Sequence, residues 1–222
     1  MKRRLKEIYQ RLYGRFGPQD WWPADSPFEV MVGAILTQNT SWQNVERAIA
    51  NLKAARCLSL KKMRSLPARK LKRLIRPAGY YNIKASRLKN FLDFLQKSFG
   101  GSLKRMAALK TEDLRLALLS VSGIGPETAD SILLYAFGRP VFVVDAYTRR
   151  WTLRHGFIAA KALYEDLQEL FMTHLPPDAA LYNEYHALIV RLGKDYCRKT
   201  REKCELCPLN PPRFRAVSKG NS

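Results

Sequence analysis

Leu119-Ser-Val-Ser-Gly-Ile-Gly-Pro-Glu-Thr-Ala-Asp130 reads as two helices joined by a tight hairpin. Upstream, Thr111 opens a helix whose first turn carries Glu112 and Asp113, where acids suit the partial positive charge of a helix start. Leu114, Ala117 and Leu118 form its apolar side. Gly123 and Gly125, two apart, permit a sharp reversal, and Pro126 fits the first turn of the next helix. That helix is expected to run to about Phe137, where Gly138-Arg139-Pro140 stops it. The apolar run Val141 to Val144 then delivers Asp145. A glycine hairpin lets backbone amides approach a phosphate, and the following helix points its N-terminus at the same anion. Such a grip holds nucleic acid without reading its sequence. The same stretch also fits an ordinary corner in a helical core. Asp145 by itself fits a helix N-cap, or a carboxylate whose burial is repaid by chemistry.

Working outward, the periodicity is helical nearly everywhere. Leu5, Ile8, Tyr9 and Leu12 line one face of a first helix that Gly14 and Gly17-Pro18 end. Pro27 to Leu36 reads as a buried helix. Ser41 is a good N-cap for the next, whose inner face is Trp42, Val45, Ala48, Ile49 and Leu52. Short helices follow around Leu58–Met63, Ala68–Arg76 and Ile83–Phe99, and later ones near Thr148–Leu153, Ala160–Met172 and Pro177–Leu192. There is no internal repeat, and Ala216 to Ser222 reads as a frayed end.

Charge points to the partner. The 222 residues hold 39 Lys and Arg against 19 Asp and Glu, a net +20. From Lys53 to Lys110 there are seventeen basic residues and one acid, Asp93, inside a segment with helical periodicity. A folded basic face suits a polyanion, nucleic acid before an anionic membrane. No apolar run approaches the roughly 18 residues of a membrane helix. Met1-Lys-Arg-Arg-Leu-Lys-Glu turns amphipathic at once, without the apolar centre of a signal peptide. The expectation is a cytoplasmic protein, nucleoid-associated if bacterial or archaeal. Cys197, Cys204 and Cys207 lie close together, which in a reducing compartment reads as metal or cluster binding before disulfide; Cys57 stands apart.

Taken together, Leu119–Asp130, Tyr135-Ala-Phe-Gly-Arg-Pro140 and Val143-Val-Asp-Ala-Tyr-Thr-Arg-Arg150 resemble the helix-hairpin-helix, Gly/Pro-Asp superfamily of DNA glycosylases, with endonuclease III as the nearest general relative. The resemblance covers most of the chain. Leu36-Thr-Gln-Asn-Thr40 resembles the family loop whose glutamine fills the gap left by a flipped base, which implies that role for Gln38. Ala78-Gly-Tyr-Tyr-Asn-Ile-Lys-Ala85 resembles the loop that wedges the opposite strand, which puts Tyr80 at the wedge and Lys84 among the DNA-binding residues with Gly123 and Gly125. His186-Ala-Leu-Ile-Val-Arg-Leu-Gly193 also matches. The histidines His155, His174 and His186 form no motif and are read as structural.

Two departures from the family pattern carry information. Bifunctional members place a lysine after the hairpin, in a Gly-Val-Gly-Arg-Lys-Thr-Ala pattern, and use it as an amine nucleophile. Here Gly123-Ile-Gly-Pro-Glu-Thr-Ala129 puts Glu127 there, and a carboxylate forms no Schiff base. A monofunctional enzyme is expected. A negative charge near the base also favours cationic, alkylated purines, as do aromatic walls. This resembles the 3-methyladenine glycosylase branch, with Trp22, Pro23 and Trp42 as pocket candidates; a place in the core is the alternative for each. The second departure is the cysteine loop. The family holds a [4Fe–4S] cluster in Cys-x6-Cys-x2-Cys-x5-Cys, and Cys197, Cys204 and Cys207 keep the first two spacings while Arg213 takes the fourth position. Three thiolates imply a degenerate iron–sulfur cluster, a foreign fourth ligand, zinc or a vestige.

The resemblance implies an all-α, two-lobed fold. A six-helix domain over residues 27–139 would carry the hairpin, at about 114–137. A second lobe would join residues 1–26 to 140–222, with the cysteine loop at 197–213. The active site is expected in the cleft between them, with Asp145 and Glu127 as its catalytic positions. The expected partner is double-stranded DNA with a damaged base, met by a monomer without a nucleotide cofactor or a membrane. The rival readings are a bifunctional glycosylase and AP lyase on oxidised pyrimidines, and a non-catalytic DNA-binding module.

Overall fold

The computed structural model describes residues 1–210, and among these it is helical with no strand. No helix of the described residues is long and apolar enough to cross a membrane. The chain divides into two compact units, Pro23–Arg139 and Met1–Trp22 with Pro140–Ser222.

The Pro23–Arg139 unit is built around α2 (Pro27–Leu36), nearly all of whose side chains are buried. Ser26 caps it, its hydroxyl accepting from the Glu29 amide at 3.2 Å, and Pro27 occupies the first turn. An apolar helix of this kind is stable only when neighbours cover it on every side. Here α3 (Trp42–Ala54), α6 (Tyr81–Phe99) and α9 (Pro126–Ser131) do so, with the π-helical turn Ile132–Ala136 that continues α9. Glu29 is the polar exception on α2. Its carboxylate meets Lys53 at 2.7 Å and accepts from the Asp25 amide, so its burial is compensated. Short helices α4 (Leu60–Ser65) and α5 (Ala68–Leu74), and a 3-10 turn Arg76–Ala78, lead into α6. Gly100 and Gly101, both at positive φ, end α6, and α7 (Leu103–Ala107) and α8 (Thr111–Leu119) bring the chain to the hairpin.

In the other unit α1 (Lys2–Phe16) and α10 (Ala146–Arg154) both pack on α12 (Ala179–Asp195). Leu5, Ile8 and Leu12 of α1 are fully buried. The core is aromatic: Phe142 stacks on Phe171 of α11 (Tyr164–His174) with centroids 4.0 Å apart, and Tyr182 and Tyr185 meet Phe142 edge-on. The buried Tyr185 hydroxyl donates to the Leu5 carbonyl at 2.9 Å, and burial pushes its pKa well up. The expected helix over Ala160–Met172 begins only at Tyr164. Leu163 sits at the N-cap with its amide donating to Asp166, which closes the helix start later than periodicity alone suggests.

Candidate functional site

In the Pro23–Arg139 unit, α8 and α9 form the helix–hairpin–helix. The turn closes through the Ile124 amide on the Val121 carbonyl at 2.9 Å. Gly123 has φ +96°, a conformation other residues resist, and a Cβ there would run into the Arg87 side chain. Gly125 differs. Its backbone is extended and a Cβ would meet nothing within 4 Å, so no neighbour among the described residues demands a glycine there. What a missing side chain leaves at Gly125 is an exposed backbone that an outside group can approach closely.

A buried ion pair holds the two hairpin helices in place. Asp130 of α9 is 0% exposed and takes two bonds from Arg115 of α8, at 2.7 and 3.1 Å. The fork geometry fits a guanidinium to a carboxylate and resists sliding. Sequence reading missed this pair, because a fifteen-residue separation across a turn leaves no helical spacing to detect.

Three loops meet on one face of this unit. Gln38 donates from Nε2 to the Gly123 carbonyl and to Thr128 Oγ1, both at 2.9 Å, and its Oε1 accepts from Arg87. The structure thus joins Gln38 to the hairpin. Tyr80 stands out, 68% exposed at a left-handed backbone position directly after Gly79. Glu127 is exposed in the first turn of α9. Lys84 is placed otherwise than a phosphate contact requires. It is 1% exposed, and its ammonium donates to the carbonyls of Leu36 and Ala78 at 2.8 and 2.7 Å. Burial, with Arg87 nearby, brings its pKa down to about 8.

The aromatic pocket candidates are half-exposed rather than core. Trp42 gives its indole N–H to Glu46 on its own helix at 2.7 Å, and Trp22 meets Trp21 edge-on. Trp22 belongs to one unit, while Pro23 and Trp42 belong to the other.

In the second unit, Asp145 is the N-cap of α10. Its Oδ1 accepts from the Thr148 amide at 2.7 Å and the Thr148 hydroxyl at 2.9 Å. Its Oδ2 lies 3.6 Å from Nε2 of the buried His186 on α12. Burial pushes the Asp145 carboxyl pKa up, but His186 and the Thr148 bonds outweigh it and hold the group below its ordinary value. Asp145 is thus a carboxylate through the neutral range, with one oxygen committed to the helix and the other turned to a histidine. His186 was read as structural, although it opens the His186–Gly193 run singled out by resemblance. Nothing local marks it, since its partner lies some forty residues earlier.

Gly193 sets how closely α10 approaches α12. A Cβ there would collide with the ring of Tyr147, two residues after Asp145. Gly193→Ala should push Tyr147 and α10 outward and cost about 1–3 kcal/mol, the usual penalty of overpacking. Chemical denaturation checks the stability, and the rate of base release should fall with it.

The cysteine loop hangs on α10. Arg150 donates to the Cys197 carbonyl at 2.7 Å, and Arg154 donates to the Arg198 carbonyl at 2.7 Å and to Cys197 Sγ at 3.5 Å. Cys197 is buried and Cys204 exposed, and burial raises the Cys207 thiol pKa, with Cys197 and Cys204 adding to the rise. Among the described residues no three His, Cys, Asp or Glu side chains form a group that could hold a metal. Arg213, expected at the fourth ligand position, lies outside the described residues.

The hairpin after α8 and the helix-capping aspartate twenty residues after Gly125 are the features on which the resemblance to the helix-hairpin-helix, Gly/Pro-Asp class of DNA glycosylases rests. The family model described as HhH-GPD superfamily base excision DNA repair protein matches residues 32–177, and the chain belongs to that family. A Methanocaldococcus jannaschii chain that bears the name of a DNA repair glycosylase is 52% identical over 92% of this chain and 93% of its own length. The structure of the Helicobacter pylori 3-methyladenine DNA glycosylase bound to 1,N6-ethenoadenine matches with a TM-score of 0.72 at 32% identity, covering 86% of this chain and 97% of that one. A thymine/uracil-DNA glycosylase of Pyrobaculum aerophilum is 26% identical over 93% of this chain and 88% of its own length. An endonuclease III–DNA complex shares the fold, with a TM-score of 0.80 at 20% identity over 94% of this chain and 92% of that one.

Proposed function

We propose that this DNA glycosylase is monofunctional: it hydrolyses the N-glycosidic bond of an alkylated purine such as 3-methyladenine and leaves an abasic site. The observation that carries the reading is Glu127, exposed in the first turn after the hairpin, where bifunctional relatives use a lysine. A carboxylate supplies no amine to attack the sugar, so water is the nucleophile. The hairpin around Gly123 and Gly125 and the basic helices hold the DNA backbone, and affinity falls steeply with salt. Gln38 and Tyr80 take up the space and the strand exposed when one nucleotide leaves the stack. Trp22, Pro23 and Trp42 offer aromatic and apolar surface to the extruded base.

Asp145 then acts at the sugar. As the C1′–N bond breaks, its electron pair leaves with the base, and a cationic alkylated base departs neutral without an added proton. The sugar gains oxocarbenium character, which the ionised Asp145 stabilises. Water adds to C1′ and its proton passes to the carboxylate. Support for the alkylated-base reading is the likeness to the Helicobacter pylori enzyme. A second reading is favoured by the Pyrobaculum relative: removal of uracil or mismatched thymine by the same Asp145 chemistry. Methylated duplex and duplexes with U·G and T·G pairs, assayed for released base, separate the two.

Borohydride reduction during turnover should trap no protein–DNA adduct, and the product strand should break only on alkaline treatment. A strong trapped band would mean that a lysine elsewhere attacks the sugar, and the enzyme would be a lyase.

A further inference from the structure

Lys84 and Arg87 lie three residues apart on α6 and both turn inward, in a chain whose net charge is +20. Leu36, whose carbonyl takes a Lys84 bond, ends α2 and stands two residues before Gln38. Ala78, whose carbonyl takes the other, ends the 3-10 turn and stands two residues before Tyr80. One ammonium therefore ties the base of the glutamine loop to the base of the tyrosine loop. Arg87 completes the arrangement. It donates to Gln38 Oε1, which turns the amide nitrogen of Gln38 toward Gly123 and Thr128, and its stem covers the inner side of Gly123. One helix face thus holds three loops.

This placement is costly. A buried ammonium loses its hydration, and Lys84 gives its two hydrogen bonds to neutral carbonyls. A leucine or methionine would fill the same volume without that cost. What an apolar side chain cannot do is fix the two carbonyls at one hydrogen-bond length from a common atom.

We infer that Lys84 and Arg87 are positioning residues that hold the Gln38 and Tyr80 loops in fixed register, so that the two loops meet the duplex together. The inference rests on the reading of Gln38 and Tyr80 as the residues that intrude into DNA. Neither Lys84 nor Arg87 need touch DNA to act in this way.

The test uses the full chain and a duplex carrying a stable tetrahydrofuran abasic analogue next to 2-aminopurine, whose fluorescence rises when it unstacks. Lys84→Met and Arg87→Met should each reduce the equilibrium constant for unstacking about tenfold, with affinity for undamaged duplex within about twofold of the unaltered protein. Lys84→Met added to the double variant Gln38→Ala, Tyr80→Ala should cost little beyond that double variant, because Lys84 acts through those two loops. A merely stabilising lysine would give additive losses, and that outcome overturns the inference. So does unchanged unstacking in Lys84→Met and Arg87→Met while Gln38→Ala is impaired. If Lys84→Met does not fold, Arg87→Met, altered at a half-buried position, decides by the same readings. If Gln38→Ala and Tyr80→Ala both unstack the probe normally, the reading of those two residues fails, and the inference fails with it.

Discussion

Asp145→Asn should lower the single-turnover rate of base release by at least about 10³-fold, the scale of losing a charge aimed at a developing transition-state charge. Its affinity for DNA should stay within about twofold, since the mechanism gives Asp145 no phosphate to hold. The substitution is informative because it separates the proposed catalytic charge of Asp145 from its observed place as a helix cap. Its Oδ1 accepts from the Thr148 amide and hydroxyl, which keeps α10 capped. Asparagine retains that acceptor and caps about as well as aspartate, so the fold should be nearly undisturbed. It loses the charge, and an NH2 donor replaces the Oδ2 acceptor that faces His186 at 3.6 Å. Asp145→Ala would add loss of the cap, about 1 kcal/mol, and mix the two effects. Base release measured beside a thermal melt separates them. Normal turnover by Asp145→Asn would make Asp145 a helix cap and nothing more.

Arg115→Met should destabilise the Pro23–Arg139 unit by about 2–3 kcal/mol, the usual cost of removing hydrogen bonds to a buried charged group. Asp130 is 0% exposed, and without Arg115 its carboxylate has lost both bonds of the guanidinium fork. The reverse change, Asp130→Asn, should cost less, because the Arg115 side chain is 24% exposed and its charge can turn to water. Urea denaturation of the two variants gives the asymmetry directly. Equal and small losses would mean that the pair does not hold α8 to α9. The functional consequence is specific: if the hairpin grips the DNA backbone as proposed, its loosening should weaken binding to any duplex alike, since backbone contacts carry no sequence information.

The features legible in the sequence were those set by near neighbours. The helical class followed from apolar spacing, and the hairpin from two glycines and a proline in one short stretch. The capping geometry of Asp145 was one of two readings open at that residue, and it too is local, closing on Thr148 three positions later. Residues such as Gln38 and Tyr80 drew attention through resemblance, which carries information about loops that periodicity does not. Helix boundaries were less legible. The start of α11 at Tyr164 depends on one aspartate bond to a loop amide, which apolar spacing cannot register.

What the sequence determined by itself is therefore the helical chain, its basic charge and the order of its motifs, because each is read from composition or from residues a few positions apart. Only the tertiary structure decided where particular charges go. Lys84 sits in a run of basic residues and was read as facing DNA, yet it is buried against two carbonyls from loops forty-eight and six residues earlier. His186 is one of three unremarkable histidines until α12 packs on α10 and brings it to Asp145. Arg115 and Asp130 become a pair only when the hairpin closes. The physical reason is common to all three. Hydrogen bonds and ion pairs between distant residues are paired by packing, and a one-dimensional pattern records a charge without recording its partner.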